Sequence, residues 1–198
     1  MARHVLDTLG RTPGIERVAV VTASDDVAKF AEGLGATVLR QEQDAGTAGA
    51  YLAAVEQLAA RGVRGVLMIS GDIPLVSVQS VTRLIAGAQT APHVALVADR
   101  HGVGTNALLC VPPTAIPVCF GVASFQQHVA QARARGIAFE VVTADDIALD
   151  IDEPDDLDCL RRRLRDGVSV ANELSSLDLP ARRTLEALLN PDAELSIR

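Results

Sequence analysis

The chain has 198 residues, of which 48% are apolar, 22% charged and only 3% aromatic. That composition suits one well-cored globular domain and excludes a coiled coil, a collagen-like repeat or a wholly disordered chain. Eighteen Lys and Arg against 25 Asp and Glu leave a net charge of −7, so nucleic acid is not an expected partner, and the scarcity of aromatics removes base-stacking platforms.

No apolar run approaches the roughly 20 residues of a membrane span. Met1–Gly10 carries Arg3, His4 and Asp7, unlike a signal peptide. Cys110, Cys119 and Cys159 lie far apart. They suggest neither a disulfide ladder nor a CxxC zinc site, and free thiols in a cytoplasmic protein are expected.

Arg17–Thr22 (RVAVVT) reads as a buried strand, and Ser24 is placed to cap a helix over Asp25–Leu34. Gly35 ends that helix and Ala36–Arg40 is the next strand. Gly46–Arg61 has apolar residues at helical spacing and stops at Gly62. Gly65–Ser70 (GVLMIS) reads as a second buried strand, followed by the turn Gly71–Asp72–Ile73–Pro74. Ser77–Ala88 is expected to be helical. His93–Ala98, Ala107–Val111, Ala138–Thr143 and Ile147–Ile151 read as strands, and Ser124–Arg135 and Pro154–Arg165 as helices. Strands alternating with helices imply βαβ units and a three-layer α/β sheet, with ligands bound outside the carboxyl ends of the strands. Asp166–Asp178 is polar, and Pro180–Leu189 has the pattern of a short amphipathic helix. We read 166–198 as an appendage, either a dimer contact or a mobile end.

Four segments could carry chemistry. Eight acids fall between Asp145 and Asp158. Glu153, Asp155 and Asp156 are explained by the start of a helix at Pro154, whose dipole favours carboxylates. Asp150 is not, because it sits within the apolar run IALDI, where a carboxylate is costly unless paired or metal-bound. Read as a strand, this run puts Asp150 and Asp152 on one face, a pairing that suits Mg²⁺. Asp72, directly after a buried strand, is either a turn residue or a metal ligand. Gly102–Val103–Gly104–Thr105–Asn106 is either a hairpin or a ligand loop with a hydroxyl and an amide to offer. Phe120–Gly121–Val122–Ala123–Ser124–Phe125 opens a helix, where Ser124 is a plain N-cap or the backbone N–H groups hold phosphate. His101 beside the glycine loop is a weaker candidate. No GxSxG, Walker A or HExxH pattern is present.

Taken together, Gly71–Asp72–Ile73–Pro74–Leu75, Asp99–Arg100 with Gly104–Thr105–Asn106–Ala107–Leu108–Leu109, Phe120–Gly121 with Ser124–Phe125 and His128, and Leu149–Asp150–Ile151–Asp152 with Pro154 and Asp156–Leu157 resemble a known family. It is that of the 2-phospho-L-lactate, phosphoenolpyruvate and 3-phospho-D-glycerate guanylyltransferases of coenzyme F-420 biosynthesis. The resemblance runs from about Val18 to Leu160. It implies a GT-A-like, Rossmann-like nucleotidyltransferase fold over 1–165 with a mixed, mostly parallel sheet, and an Mg²⁺-dependent transfer of GMP from GTP to a small phosphorylated acid. It implies Asp72, Asp150 and Asp152 as the catalytic, metal-binding acids. Thr105, Gly121 and Ser124 match positions that hold the acceptor phosphate, and Asn106 is a further substrate-binding candidate.

The resemblance also implies a strand and a basic loop ahead of Arg17–Thr22, whereas Met1–Leu9 aligns with the helix that follows them. Met1–Arg198 taken alone is therefore expected to have a gap near the centre of its sheet, poor stability and weak or no activity. Asp44–Ala50 (DAGTAGA) stands where the family carries a turn near the nucleoside. The alternatives are a nucleotidyltransferase of molybdopterin or sugar-phosphate type on the same fold, or a non-catalytic remnant that only binds the phosphorylated acid. Among the three acceptors the sequence does not choose.

Overall fold

The computed structural model describes residues 1–41 and 46–165. Among these residues seven helices and six strands follow in chain order: α1 (Ala2–Arg11), β1 (Ala19–Thr22), α2 (Asp25–Gly33), β2 (Thr37–Arg40), α3 (Gly46–Ala60), β3 (Val66–Ile69), α4 (Val78–Leu84), β4 (His93–Ala98), β5 (Thr105–Val111), α5 (Ser124–Ala134), β6 (Ala138–Val141), α6 (Asp145–Ala148) and α7 (Pro154–Arg165). A 3-10 turn over Ala86–Gln89 follows α4. The expected appendage 166–198 and the start of the DAGTAGA segment lie outside the described residues.

Local chemistry sets the boundaries. The Ser24 hydroxyl accepts the Val27 N–H and opens α2. After α3 the chain reverses at Gly62, whose φ of +73° is open to glycine at no steric cost. Ser77 caps α4 through the Ser80 N–H, and its own N–H and hydroxyl both donate to Asp146 Oδ2, at 3.1 and 2.7 Å. That carboxylate ties the start of α4 to α6.

A mixed sheet in the order β3-β5-β4-β6 forms the centre. β5 runs antiparallel to β3 and β4, and β6 pairs parallel with β4. Period-2 alternation sorts β4 and β5 cleanly between the two faces. Ala95, Val97, Ala107, Leu109 and Val111 face Val5 and Leu9 of α1, Val81 and Leu84 of α4, and Ile147. Val94, Leu96, Leu108 and Cys110 face Val55 of α3 and Ala132 of α5. The result is the three-layer arrangement expected. A third cluster of Leu75, Leu149, Leu160 and Leu164 anchors α7.

β1 and β2 form a separate parallel pair. Among the described residues β1 pairs with β2 alone and β3 with β5 alone, so each has an open edge. Both were expected to be buried strands, yet Val20, Val21, Val66, Leu67 and Ile69 are only half-buried. Helix α3 packs on β1 and on β3, joining the two sheets.

One element differs in kind from the sequence expectation. Ile147–Ile151 is not a strand. Ile147 and Ala148 donate to the Ala144 carbonyl, closing one helical turn at α6, and Leu149–Ile151 follows as irregular chain. Ile147 and Leu149 are both fully buried, but in different clusters. Apolar residues two apart therefore mimic a strand while serving two cores. The shared-face argument for Asp150 and Asp152 loses its basis, and their meeting has to be judged from the site itself.

Candidate active site

The site residues gather at the carboxyl end of β3 and around the β4–β5 hairpin. Asp72 lies in the turn after β3, held between the buried Ile73 and the Gly71 backbone. The turn is pinned from α1, where His4 Nε2 lies 2.9 Å from the Val76 carbonyl. A carbonyl only accepts, so the His4 proton is on Nε2. Burial lowers the His4 pKa, which favours that neutral ring.

Asp72 Oδ1 is buried and has no hydrogen-bond partner among the described residues. Burial raises the Asp72 pKa, its own backbone N–H lowers it in part, and the charges of Asp152 and Asp150 raise it further. Asp150 behaves alike. Burial raises its pKa, the Asn106 amide counters, and Asp152 and Asp99 add repulsion. The three acids thus lie within electrostatic reach of one another although no strand aligns them. Among the described residues no three His, Cys, Asp or Glu side chains close into a ready cage for a metal. An orphaned, half-buried carboxylate facing two like charges nevertheless suits a hard divalent cation that takes one or two carboxylates and fills its shell with phosphate oxygens and water.

Asn106 is buried, and its amide donates to the Ile147 carbonyl at 3.0 Å while supporting Asp150. Its visible work is to fix the chain that carries Asp150. Asp152 is fixed from α7. The Asp156 carboxylate accepts the Asp152 and Glu153 N–H groups at 3.1 and 2.7 Å, and Arg100 Nε donates to it at 2.6 Å. Burial alone would raise the Asp156 pKa, but these N–H groups and the guanidinium hold it below the usual range. Sequence reasoning gave Asp156 only to the helix dipole. Its spacing of three and four residues from Glu153 and Asp152, that of a capping carboxylate, was the available signal.

The Gly102–Asn106 segment is the β4–β5 hairpin. Asp99 accepts the N–H groups of His101, Val103 and Gly104, the last at 2.7 Å. A Cβ at Gly104 would lie 2.7 Å from Asp99 Oδ2, so a side chain there would have to push that carboxylate aside. His101 is exposed beside this loop. Thr105, the first residue of β5, is buried, and its hydroxyl oxygen lies 3.0 Å from His128 Nδ1.

Ser124 is the first residue of α5, not its cap. Ala123 holds the cap position, at a left-handed φ of 56°. This backbone costs a non-glycine residue about 1–2 kcal/mol, and strain of this kind clusters at functional sites. Gly121, at φ +122°, makes the same tight loop. Freed from capping, the Ser124 hydroxyl lies 3.3 Å from Thr105 Oγ1. Thr105, Ser124 and Gly121 therefore do come together, with His128 beneath them.

Tyr51, the single tyrosine, was not singled out from the sequence. Its hydroxyl interacts with Ser70, burial pushes its pKa up to about 12, and the Asp72 charge adds to that. Its ring stacks on Phe120 at 4.3 Å between centroids. Tyr51 thus links the acid side of the site to the loop that carries Gly121. Cys110 is buried, with its thiol pushed up to about 12, and takes no part.

Solved structures share this fold. A nucleotidyl transferase from Methanothermobacter superposes with a TM-score of 0.63 at 16% identity, covering 84% of this chain and 81% of the other. 4-Diphosphocytidyl-2C-methyl-D-erythritol synthase superposes with a TM-score of 0.64 at 15% identity, covering 82% and 89%. The chain thus has the α/β fold of these proteins.

Sequence narrows it. Residues 1–163 match the family described as "Guanylyl transferase CofC like", and the chain belongs to that family. It is 40% identical to the phosphoenolpyruvate guanylyltransferase of Conexibacter woesei over 158 residues, 79% of this chain and 71% of that one. It is 34% identical to the 2-phospho-L-lactate guanylyltransferase of Methanothermobacter thermautotrophicus over 157 residues, 79% and 64% of the two chains. With the 3-phospho-D-glycerate guanylyltransferase of Colwellia psychrerythraea it shares 36% over 141 residues, 71% and 66%. No helix among the described residues is long and apolar enough to cross a membrane.

Proposed function

We propose that the protein transfers the guanylyl group of GTP to the phosphate of a small phosphorylated carboxylic acid, releasing pyrophosphate, as a step of coenzyme F-420 biosynthesis. Phosphoenolpyruvate is the first acceptor to test, since the relative at 40% identity is named for it. An acceptor phosphate oxygen attacks the α-phosphorus, a new P–O–P link forms, and the bond between the α-phosphorus and the bridging oxygen breaks to release pyrophosphate. The acceptor phosphate is already ionised at neutral pH, so no general base is required. What the site must supply is alignment and charge stabilisation.

The observation that carries this reading is the meeting of two unlike regions. The acid trio Asp72, Asp150 and Asp152 lies on one side, and the uncharged cluster of Thr105, Gly121 and Ser124 on the other. Asp72, Asp150 and Asp152 would hold Mg²⁺, which when bound offsets the reactants' charge and polarises the α-phosphate. Asn106 and Asp156 hold the backbone carrying two of those acids. Thr105 and Ser124 offer hydroxyls to the acceptor phosphate, and Gly121 lets the chain turn close to it.

The test is Mg²⁺-dependent pyrophosphate release from GTP with phosphoenolpyruvate, 2-phospho-L-lactate and 3-phospho-D-glycerate in turn. Release with one acid, lost on Asp150→Ala, is expected. Release with a sugar phosphate or a pterin but with none of the three acids would move the protein to another specificity.

A further inference from the structure

His128 is fully buried in α5 and takes no part in the chemistry above. Both ring nitrogens are engaged. The Cys119 N–H donates to Nε2 at 3.1 Å, and Nδ1 lies 3.0 Å from Thr105 Oγ1. The edge of the ring meets Phe120, 5.2 Å between centroids. A nitrogen that accepts an N–H cannot carry a proton, and a neutral imidazole has one proton. It is therefore on Nδ1, and Nδ1–H donates to the Thr105 hydroxyl.

Counting donors then decides what the hydroxyls can do. Ser124 Oγ–H donates to Thr105 Oγ1 at 3.3 Å. With His128 and Ser124 both donating, the two lone pairs of Thr105 are filled, and its own O–H can only donate. Its one hydroxyl neighbour among the described side-chain contacts, Ser124 Oγ, is already the donor to Thr105. With the other tautomer Thr105 would donate to Nδ1, and the pair would have no proton left over.

We propose that His128 is a positioning residue whose fixed Nδ1–H tautomer turns the Thr105 hydroxyl into an obligatory donor, making an uncharged cluster selective for the anionic oxygen of the acceptor phosphate. This rests on the guanylyl-transfer reading and deepens it. It gives the acceptor side a means of holding an anion without a cation, the nearby Arg100 being committed to Asp156.

The experiment has two arms. Long-range ¹H–¹⁵N correlation on ¹⁵N-histidine-labelled protein reads the tautomer directly, with a protonated Nδ1 and a bare Nε2 expected. Calorimetry then compares His128→Asn, whose amide can place an N–H near the Nδ1 position, with His128→Gln, whose amide reaches the Nε2 position. Phosphoenolpyruvate, 2-phospho-L-lactate, 3-phospho-D-glycerate and GTP are titrated separately. For the tightest acid, His128→Gln is expected to weaken binding about tenfold, the scale of one hydrogen bond to a charged group. His128→Asn should stay within about threefold of the parent, and GTP affinity should be unchanged in both. A bare Nδ1 overturns the proposal, as does equal weakening by both variants or an equal loss of GTP binding. If Thr105→Val leaves acid affinity unchanged while pyrophosphate release continues, the proposal falls and guanylyl transfer stands. If the parent binds none of the acids, both fall.

Discussion

The two sides of the site treat polar groups in opposite ways. On the acid side, one carboxylate oxygen is left unsatisfied: Asp72 Oδ1 is buried without a partner among the described residues, and Asp72 and Asp150 are both pushed up by burial and by neighbouring charge. On the hydroxyl side, Thr105, Ser124 and His128 are uncharged, buried and linked to one another. On the proposed reading a cation completes the first side. The second is already organised and lacks only an acceptor for one proton. A site that must bring two polyanions together can separate the tasks in this way, neutralising charge at one end and fixing geometry at the other.

The sharpest way to break this comparison is to remove the charge. Asp72→Ala and Asp150→Ala should each lower pyrophosphate release by about 10²–10³-fold, the usual cost of losing one electrostatic group at the transition state. A loss of less than tenfold in either would mean that the acid is not at the reaction centre.

The next largest effect concerns the hydroxyl side and acid stability. Burial lowers the His128 pKa from 6.5 to about 4. The unfolded chain therefore takes up a proton that the folded chain refuses. This contribution is fully present above pH 6.5 and is lost as the pH falls toward 4. Its scale is roughly 3 kcal/mol, with His4 acting in the same direction. Urea melts between pH 7 and 4.5 should show a shallower acid slope for His128→Gln than for the parent. An unchanged slope would mean that His128 is accessible to protons in the folded state.

A smaller effect is expected at the hairpin. Gly104→Ala places a Cβ against Asp99 Oδ2 and should displace that carboxylate from three backbone N–H groups. The expected cost is about 1–3 kcal/mol by chemical denaturation, and acid-substrate KM should rise because Thr105 starts where the loop ends. Equal stability would show that the loop re-forms without Asp99.

The smallest effect carries the most informative sign. Asp72 and Asp150 have raised pKa values in the fold, so their metal-free contribution is most favourable below their unfolded pKa and is lost as the pH rises through the folded one. Asp150→Asn should therefore slightly stabilise the metal-free protein at pH 7, and Mg²⁺ should raise the Tm of the parent more at pH 7 than at pH 5. Thermal scans with and without Mg²⁺ check both. A destabilised Asp150→Asn would mean that the carboxylate is already satisfied without a cation.

Much of this was legible in the sequence because it is periodic or punctuated. Strand β4 and helix α7 fall on their expected residues, since an unbroken apolar run and a Pro-led acidic start leave little choice. The candidate acids could be picked out as carboxylates in apolar or strand-end positions. What could not be read was pairing across the fold. The alternation of Ile147, Leu149 and Ile151 mimicked a strand because two separate cores draw on one turn. Tyr51 gains its place by stacking on Phe120, 69 positions away, and His128 by meeting Thr105. The exposed sides of β1 and β3 were illegible as well, because sequence reports how apolar a strand is and not which neighbour covers it.

Those open edges bear on how the protein behaves when concentrated. Among the described residues each presents an unpaired row of backbone donors and acceptors flanked by half-buried apolar side chains, which is a template for strand addition. Two copies meeting edge to edge could each supply the other's missing ladder, so self-association should rise with concentration independently of any ligand. Sedimentation velocity over a concentration series should show larger species, suppressed by a gatekeeper lysine at the exposed edge position in Ala19→Lys. A single sedimenting species throughout would show that the edges are closed to other chains.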